Sequence, residues 1–429
     1  MPVRKLTLEQ LARVEGEGSL ELSLQDGKVE TARLKIFEPP RFFEALLRGR
    51  AFSEVPDIVA RICGICPVAY QMSAVHALEH ALGVSVGAPL RLLRRLLYCG
   101  EWIESHVLHI VMLHAPDFLG YPDVIAMARE HGAEVRRGLA LKRAGNEILR
   151  VLGGREIHPV NVRVGGFYRL PTPSELGALR RTLEPAREAA IALLRWVARF
   201  PMPDYERDYE FVSLRHPSEY PMNEGQLVSN RGLSLAAEEF DSEFEESHLP
   251  HSTALYCALR RRGSYLVGPL ARYNLNFDRL PASVQSLARE AGLGPACRNP
   301  FRSILVRAVE VVFACEEALR LLAAYEPPEA PSIPLPRAAG EGHACTEAPR
   351  GMLYHHYRLA ADGTIQEARI VPPTSQNQAS IEEDLRLLAE SLLAEPEETL
   401  RERCEQAIRN YDPCISCSTH FLRLVIRRS

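Results

Sequence analysis

The stretch Asp412-Pro413-Cys414-Ile415-Ser416-Cys417-Ser418-Thr419-His420 near the carboxyl end has a counterpart far upstream, Arg61-Ile62-Cys63-Gly64-Ile65-Cys66. Each contains a Cys-x-x-Cys pair, and 351 residues separate Cys63 from Cys414. A Cys-x-x-Cys turn holds both sulfurs on one side of the backbone, so two such pairs can converge on a soft or borderline metal ion. Zinc ribbons place their pairs within about 15–20 residues of each other. The much larger separation here predicts a metal site deep inside the fold.

The residue types alone leave other kinds of site open. Two Cys-x-x-Cys pairs are also typical of a structural Cys₄ zinc site or of two unrelated redox pairs. The pattern His76-x-x-Glu79-His80 matches some zinc metallopeptidases, because histidines at i and i+4 share a helix face. No glutamate-bearing helix that could complete such a site is evident. We therefore expect His76 and His80 to be ordinary packing or surface positions.

Composition indicates a cytoplasmic protein that neither spans a membrane nor binds nucleic acid. The 429 residues are 46% apolar with a formal net charge of −4, which provides no basic surface for nucleic acid. No apolar run approaches the roughly 18 residues of a membrane span, and the first residues lack an apolar signal region. Ten cysteines without such a signal indicate a reducing compartment. We expect the six outside the pairs to be small buried hydrophobic residues: Cys99, Cys257, Cys297, Cys315, Cys345 and Cys404.

The hydrophobic periodicity predicts a mostly α-helical protein with small β elements, an α+β fold. Residues 1–40 form a β-rich segment with a turn at Asp26-Gly27, and a later hairpin turns at Asp362-Gly363. Helices are predicted over 42–50, 66–82, 89–114, 121–152, 173–200 and 302–325, with two more before Asp412. Residues 205–300 contain short alternating segments. Because the two cysteine pairs must meet, we expect residues 1–429 to form a single domain.

The residues around the two pairs resemble the two signature motifs of the nickel–iron hydrogenase large subunit. The first is Arg61 to Cys66 followed by Pro67, and the second is Asp412-Pro413-Cys414-x-x-Cys417-x-x-His420. Other landmarks fall in the family's order, so the resemblance covers essentially the whole chain. It implies the large-subunit fold, with the metal site buried at the centre of a helical core. It also implies the activity, the reversible heterolytic cleavage of dihydrogen to protons and electrons.

The resemblance assigns metal ligands to this sequence. Nickel is bound by the four thiolates, of which the second in each pair also bridges to an iron that carries carbon monoxide and cyanide: Cys63, Cys66, Cys414 and Cys417. Glu44 and His420 hold a magnesium-type ion (magnesium or iron), together with a backbone carbonyl at Arg369 or Ile370. A carboxylate suits such a hard cation.

The resemblance also assigns catalytic roles. Arg13-Val14-Glu15-Gly16 is similar to the family's Arg-x-Glu-Gly segment, which makes Glu15 the first proton relay. Cys414 is the expected base at the metal, with Arg350 as rival or assistant, and Asp412 is expected to hold Arg350 by a charge-assisted hydrogen bond. Thr374 is the expected hydrogen-bond donor to an iron-bound cyanide. It lies in Val-Pro-Pro-Thr, a form one residue longer than the commonest one.

The resemblance implies several partner proteins. Beyond the signature pairs there is no clustered cysteine set for an iron–sulfur centre and no Gly-x-Gly-x-x-Gly after a strand. We therefore expect an obligate iron–sulfur small subunit. The resemblance further implies a flavin-containing NAD(P) diaphorase, further iron–sulfur subunits, nickel-insertion chaperones and a maturation endopeptidase.

Two departures from the membrane-bound uptake enzymes favour the cytosolic bidirectional NAD(P)-linked or sulfhydrogenase group. Tyr70 replaces a histidine and Ser105 replaces an aspartate. An F420-linked or other acceptor, or a non-catalytic relative in respiratory complex I, is the alternative. Residues 421–429, after His420, form either a short pro-peptide or a retained end.

Overall fold

The computed structural model of the protein describes residues 4–25, 28–39 and 41–419. Its α-helices are α1 Phe43–Leu47, α2 Val55–Val59, α3 Pro67–Ala81, α4 Ala88–Val107, α5 Ala115–Leu119, α6 Val124–Met127, α7 Gly132–Gly153, α8 Pro173–Val197, α9 Phe240–Glu243, α10 Pro269–Asn276, α11 Ala282–Glu290, α12 Ser303–Ala324, α13 Pro373–Ser391 and α14 Glu397–Asn410. Its strands are β1 Arg4–Leu8, β2 Gly18–Gln25, β3 Lys28–Ile36, β4 Val162–Arg163, β5 Gly166–Phe167, β6 Val212–Arg215, β7 Gln226–Ser229, β8 Ser234–Leu235, β9 Phe244–His248, β10 Leu255–Leu259, β11 Gly340–Ala348, β12 Gly351–Leu359 and β13 Ile365–Val371.

Helix α4 lies at the centre of a helical core. It packs against α3, α7 and α12, while α8 lies against α7 and α12. Leu93, Leu96, Ile103 and Val107 form the buried apolar stripe that the sequence predicts. The helix is longer than its α-helical part, because Leu108–His114 continues it as a π-helix. Such π-helical turns are frequent at functional sites.

The strands form small antiparallel sheets around this core. The β-rich amino-terminal segment is confirmed: its order is β1-β2-β3, with Leu20 opposite Leu34. The predicted Asp26-Gly27 turn lies outside the described residues. The hairpin at Asp362-Gly363 is confirmed too, since it joins β12 to β13 and Gly363 has φ 83°. The remaining sheets are β11-β12-β13, β6-β7-β8, β9-β10 and β4-β5.

Two sequence predictions need correction. Residues 121–152 are not one helix: α6 begins after Asp123, whose carboxylate caps it by accepting a hydrogen bond from Ala126 N (2.8 Å), and the chain breaks again before Gly132. Helices α10 and α11 lie inside 205–300, where only short alternating segments were expected. Both are short helices whose apolar faces are buried by packing against α12, which a local pattern does not reveal.

The main hydrophobic core includes residues from Leu6 near one end of the chain to Cys417 near the other. The single domain stays a prediction. The six cysteines outside the two pairs are all buried, as expected. Within the described ranges, no helix combines the length and apolarity needed to cross a bilayer.

Strand β11 approaches helix α3 closely enough to require glycine. A Cβ atom on Gly342 would stand 2.0 Å from the carbonyl oxygen of Ala77, and one on Gly340 would stand 1.9 Å from that of Ala81. These contacts are with backbone, which cannot give way as a flexible side chain can. Helix α3 starts directly after Cys66, and β11 ends just before Arg350. The close approach of β11 to α3 therefore helps to set the distance between Cys66 and Arg350.

The substitution Gly342→Ala should therefore lower the free energy of unfolding by about 1–3 kcal/mol, the usual cost of overpacking a core. Gly177→Ala is the matched control, because Gly177 lies inside α8 and its Cβ would meet only Arg181 Nη1 at 3.8 Å. That control should be neutral or stabilising by up to about 1 kcal/mol. Denaturant unfolding of both variants measures the difference, and equal stability would contradict the close approach.

Candidate metal centre

The four cysteines of the two pairs meet in the core. Cys63 Sγ lies 3.5 Å from Cys414 Sγ, and Cys66 Sγ lies 3.9 Å from Cys417 Sγ. All four sulfurs lie within 4.8 Å of one another, and each residue is buried. The convergence predicted from the sequence is therefore present.

The first pair is held at the start of helix α3. Cys66 is the N-cap residue and Pro67 follows at the first helical position, where its missing N–H costs nothing. The Cys66 side chain does not cap the helix. Instead, the buried carboxylate of Glu101 on α4 accepts hydrogen bonds from Val68 N (2.6 Å) and Ala69 N (3.1 Å). The Cys66 sulfur thus remains available to a metal.

The second pair follows a strained residue. Asp412 has φ 51°, in the left-handed region that few residues other than glycine adopt. Next, Cys414 N donates a hydrogen bond to Thr374 Oγ1 (3.0 Å), and Cys417 N donates to Cys414 O (3.2 Å). The chain then forms a 3₁₀ turn over Ser416–Thr419. This arrangement points the sulfurs of Cys414 and Cys417 toward the first pair.

The electrostatics of the four thiols suit a cation. Hydrogen bonds from Cys414 and Cys417 lower the pKa of the Cys63 thiol, whereas burial raises the pKa of the Cys414 thiol. Several thiolates crowded in an apolar core repel one another unless positive charge replaces their protons. A transition metal ion supplies that charge, and thiolate sulfur is a ligand that nickel and iron accept. The residues present therefore fit the metals that the resemblance implies.

Arg350 lies beside the thiols and contacts Asp412 as expected. Its Nε donates to the Asp412 carbonyl oxygen (2.9 Å), and its Nη2 lies 3.2 Å from Asp412 Oδ2. Nη1 donates to Ser105 Oγ (3.3 Å), the position where uptake enzymes have aspartate. Burial alone would lower the pKa of Arg350, but Asp412 and Cys414 outweigh it and raise that pKa above its usual value. The guanidinium remains charged.

The hairpin that carries Arg350 is fixed by a second buried arginine, which the sequence analysis missed. Arg272 on α10 donates to Glu310 from Nε (2.9 Å) and Nη2 (2.8 Å), and to Glu347 from Nη1 (3.0 Å). It also donates to the carbonyls of Ala348 (2.8 Å) and Pro349 (2.9 Å), directly before Arg350. Nothing local marks Arg272 in the sequence, because its partners come from two other segments, α12 and the end of β11.

Glu15 lies against the second pair. Its carbonyl oxygen accepts a hydrogen bond from Ile415 N (3.0 Å), and its Oε2 accepts one from Ser416 N (3.1 Å). The two segments form a short parallel bridge at Glu15 and Cys414. The structure thus places the carboxylate beside the cysteine-bearing turn.

Glu44 lies beside Ile370, one of the two residues expected to offer a carbonyl. Its Oε1 accepts a hydrogen bond from Ile370 N (2.8 Å). Burial raises the pKa of Glu44 to about 7, and the Ile370 contact opposes that rise. The third expected member, His420, lies outside the described residues.

Two neighbouring hydroxyl residues, Thr374 and Ser375, lie near the site. Thr374 Oγ1 accepts from Cys414 N, which leaves its own O–H proton as a donor. Its neighbour Ser375, which the sequence analysis did not single out, is buried with no hydrogen-bond partner for Oγ among the described residues.

Tyr70 adjoins the cysteines: burial, and then the negative charge of Cys417 and Cys66, raise the pKa of its phenol.

The other groups that resemble metal sites have protein partners. Glu79 pairs with Arg94 (2.6 Å), as expected if the His76-x-x-Glu79-His80 pattern is structural. A second group of possible ligands, Asp241, His343 and His356, is already satisfied. Asp241 pairs with Arg369 and accepts from Tyr354 OH (3.2 Å), which also contacts His343. We assign no metal to either group.

The fold and the buried four-thiol centre define a metal-binding protein, and comparison with known proteins identifies its class. The model of the nickel-dependent hydrogenase family matches residues 41–140 and 306–420. The alpha chain of sulfhydrogenase 2 from Pyrococcus furiosus is 35% identical over 98% of this chain and 100% of its own length. A chain of the vhc F420-non-reducing hydrogenase from Methanococcus voltae is 28% identical over 97% of this chain and 95% of its own length.

A solved structure extends the likeness to the whole fold. The crystal structure of an NAD+-reducing NiFe-hydrogenase in the H2-reduced state has a TM-score of 0.89 and 28% identity, and covers 97% of this chain and 99% of that one. The chain belongs to the nickel-dependent hydrogenase family, in which it is a catalytic large subunit. Membership implies an active site of nickel and iron. The predicted family, fold class and enzymatic function are therefore confirmed.

Proposed function

We propose that Cys63, Cys66, Cys414 and Cys417 hold nickel, and that Cys66 and Cys417 share their sulfurs with an iron carrying carbon monoxide and cyanide. The observation that supports this most is the convergence of four buried sulfurs within 4.8 Å. When bound, the metals supply the redox-active Lewis-acid centre at which dihydrogen is cleaved. Thr374, or the neighbouring Ser375, whose hydroxyl has no partner among the described residues, would donate a hydrogen bond toward a diatomic ligand.

The proton leaves through residues of this chain. We assign the base to the Sγ of Cys414, from which the proton passes to the carboxylate of Glu15, whose segment lies directly against it. The guanidinium of Arg350, held by Asp412, keeps a positive charge beside the thiolates and assists proton removal. Glu44, with a carbonyl at Arg369 or Ile370 and with His420, holds a magnesium-type ion, because a buried carboxylate suits a hard cation.

Electrons leave toward an iron–sulfur small subunit. Gly64, which lies between Cys63 and Cys66, is exposed at the surface of the chain. Ile157 lies alongside, since its Cγ2 is 3.9 Å from where a Cβ on Gly64 would stand, and Ile157 is 58% exposed. An exposed apolar side chain at this position suits a partner interface.

Beyond the small subunit, further iron–sulfur and flavin-containing diaphorase subunits carry the electrons to NAD(P) in the cytoplasm. The NAD+-reducing structure described above supports this acceptor. The F420-non-reducing relative supports another acceptor as the alternative, although its name excludes F420 itself. Nickel-insertion chaperones and an endopeptidase acting after His420 would complete the centre.

Replacing one ligand should remove the metals. Cys414→Ala should lower nickel content at least about tenfold, because even a residue that only supports a metal ligand contributes about 10–100-fold to metal affinity. Cys315→Ala is the control, because Cys315 is equally buried but lies on α12. Elemental analysis of both purified complexes decides. Full metal content in Cys414→Ala would refute the ligand assignment.

Glu15→Gln should slow dihydrogen oxidation by about 10²–10⁴-fold while nickel and iron content stays intact, because the amide cannot carry the proton. Glu17→Gln serves as the control, since Glu17 is exposed two residues along the same segment. Turnover with an artificial acceptor and metal analysis measure both effects. Loss of metal in Glu15→Gln, or turnover of that variant at the wild-type rate, would refute the relay assignment.

Ile157→Lys should uncouple the partner from the metal centre, because a charge would be buried in an apolar contact. We expect the exchange of D2 with solvent protons to persist while dihydrogen-dependent reduction of NAD+ or NADP+ falls about tenfold or more. Ile125→Lys is the control, because Ile125 is 75% exposed on α6. Equal reduction of NAD+ or NADP+ by the two variants would mean that the partner binds elsewhere on the chain. If the wild-type complex reduces only other acceptors, the alternative function is favoured.

A further inference from the structure

A single carboxylate, that of Asp117 on α5, joins two arginines that are remote in sequence. Arg409 Nε lies 2.7 Å from Asp117 Oδ2, and Arg409 Nη2 lies 2.9 Å from Oδ1. Arg13 Nη2 pairs with Oδ1 as well, and His114 Nδ1 contacts Oδ2 (3.0 Å). Asp117 is therefore the shared anion of two cations from opposite ends of the chain.

These two arginines directly precede the two segments that form the proposed proton path. Arg13 is two residues before Glu15, and Arg409 is three residues before Asp412. The segments are also joined directly, because Arg409 Nη1 donates to the carbonyl oxygen of Ala12 (2.8 Å). Asp117 is thus linked to both of the segments that meet where Glu15 contacts the cysteine turn.

The backbone at Arg13 depends on these contacts. Arg13 has φ 59°, an unfavourable conformation for a residue with a Cβ, and such strain persists only where surrounding contacts impose it. Its side chain supplies them, because Nη1 donates to the carbonyl of Leu113 (2.8 Å) and Nη2 pairs with Asp117. The next turn of chain presents Glu15 to the site.

The charges explain why an anion is needed at this point. The Asp117 side chain is 7% exposed, that of Arg409 is 3% exposed and that of Arg13 is 17% exposed, so water screens the two guanidinium groups only partly. Burial and the nearby charge of Arg409 lower the pKa of Arg13, whereas Asp117 opposes that effect. Arg409 has a second anion in Glu405 (3.2 Å), but Arg13 does not share it by a hydrogen bond. Neutralising Asp117 should consequently release Arg13 before Arg409.

We propose that Asp117 is a positioning residue of the hydrogenase reaction, which fixes Glu15 against the Cys414 turn by clamping Arg13 and Arg409 together. This rests on the proposed relay through Glu15. Asp117 does not touch the thiols or carry the proton itself; it acts through the two arginines.

The test compares Asp117→Asn with Glu15→Gln in the purified complex. For Asp117→Asn we expect unchanged nickel and iron, an unchanged infrared spectrum of the metal centre, and exchange of D2 with solvent protons slowed by about ten- to a hundredfold, as small misplacements of a reacting group do. The KM for dihydrogen should stay the same. Arg13→Gln should reproduce the effect, and the double variant should be no slower than the slower single variant, since both remove one interaction.

Glu317→Gln controls for the loss of a buried carboxylate as such. Glu317 also joins two arginines, Arg95 (2.6 Å) and Arg320 (2.7 Å), but these belong to α4 and α12 rather than to the relay segments. Its exchange rate should match the wild type. Equal slowing in Glu317→Gln and Asp117→Asn would overturn the proposal, as would loss of metal in Asp117→Asn.

The remaining outcomes separate this proposal from the relay itself. If Glu15→Gln slows exchange and Asp117→Asn does not, the relay stands and the clamp is refuted. If neither variant slows exchange, the relay through Glu15 is refuted, and the clamp falls with it. The geometry predicts that both variants slow exchange while the Glu317 control keeps the wild-type rate.

Discussion

The structure depends on bringing four thiol groups from opposite ends of the chain into one buried cluster. The contacts between Cys63 and Cys414 (3.5 Å) and between Cys66 and Cys417 (3.9 Å) join segments 351 residues apart. Such long-range closure is costly in chain entropy and has to be stabilised by the core between them. Helices α3, α4 and α12 form that core around the site, and the glycines of β11 allow the Arg350 hairpin to lie directly on α3.

Polar groups inside this core are held by paired charges. Arg272 joins Glu310 and Glu347 next to the hairpin that carries Arg350, while Arg350 pairs with Asp412 beside the thiols. A buried charge without a partner is strongly destabilising, so these pairs hold their segments in one arrangement rather than merely adding stability. Asp117 forms buried ion pairs of the same kind at the proposed relay, because it joins the segments that bear Glu15 and Asp412.

The sequence predicted those features that a local pattern encodes. The cysteine pairs, the long apolar stripe of α4 and the Arg-x-Glu-Gly segment each have a signature within a few residues, and the structure brings the cysteines and Glu15 together. The long helix predicted over 121–152 was wrong, because the cap at Asp123 and the break before Gly132 interrupt an otherwise helical composition. The supporting residues could not be predicted in this way: Arg272, Glu101 and Asp117 act on segments remote in sequence, and a charged residue in an isolated pattern usually lies on the surface. The unpartnered hydroxyl of Ser375 emerges only once its burial is known. The roles of Glu15, Glu44, Arg350, Asp412 and Thr374 remain proposals that the geometry supports.

Infrared spectroscopy of the purified complex under argon and then under dihydrogen tests the central claim most directly, with nickel and iron measured on the same sample. The account predicts about one nickel per large subunit, iron in excess of nickel because the partner subunits carry iron–sulfur clusters, and sharp carbonyl and cyanide stretching bands that shift when dihydrogen is admitted. Zinc in place of these metals, with no such bands, would show that the four thiols form a structural site and would contradict the account.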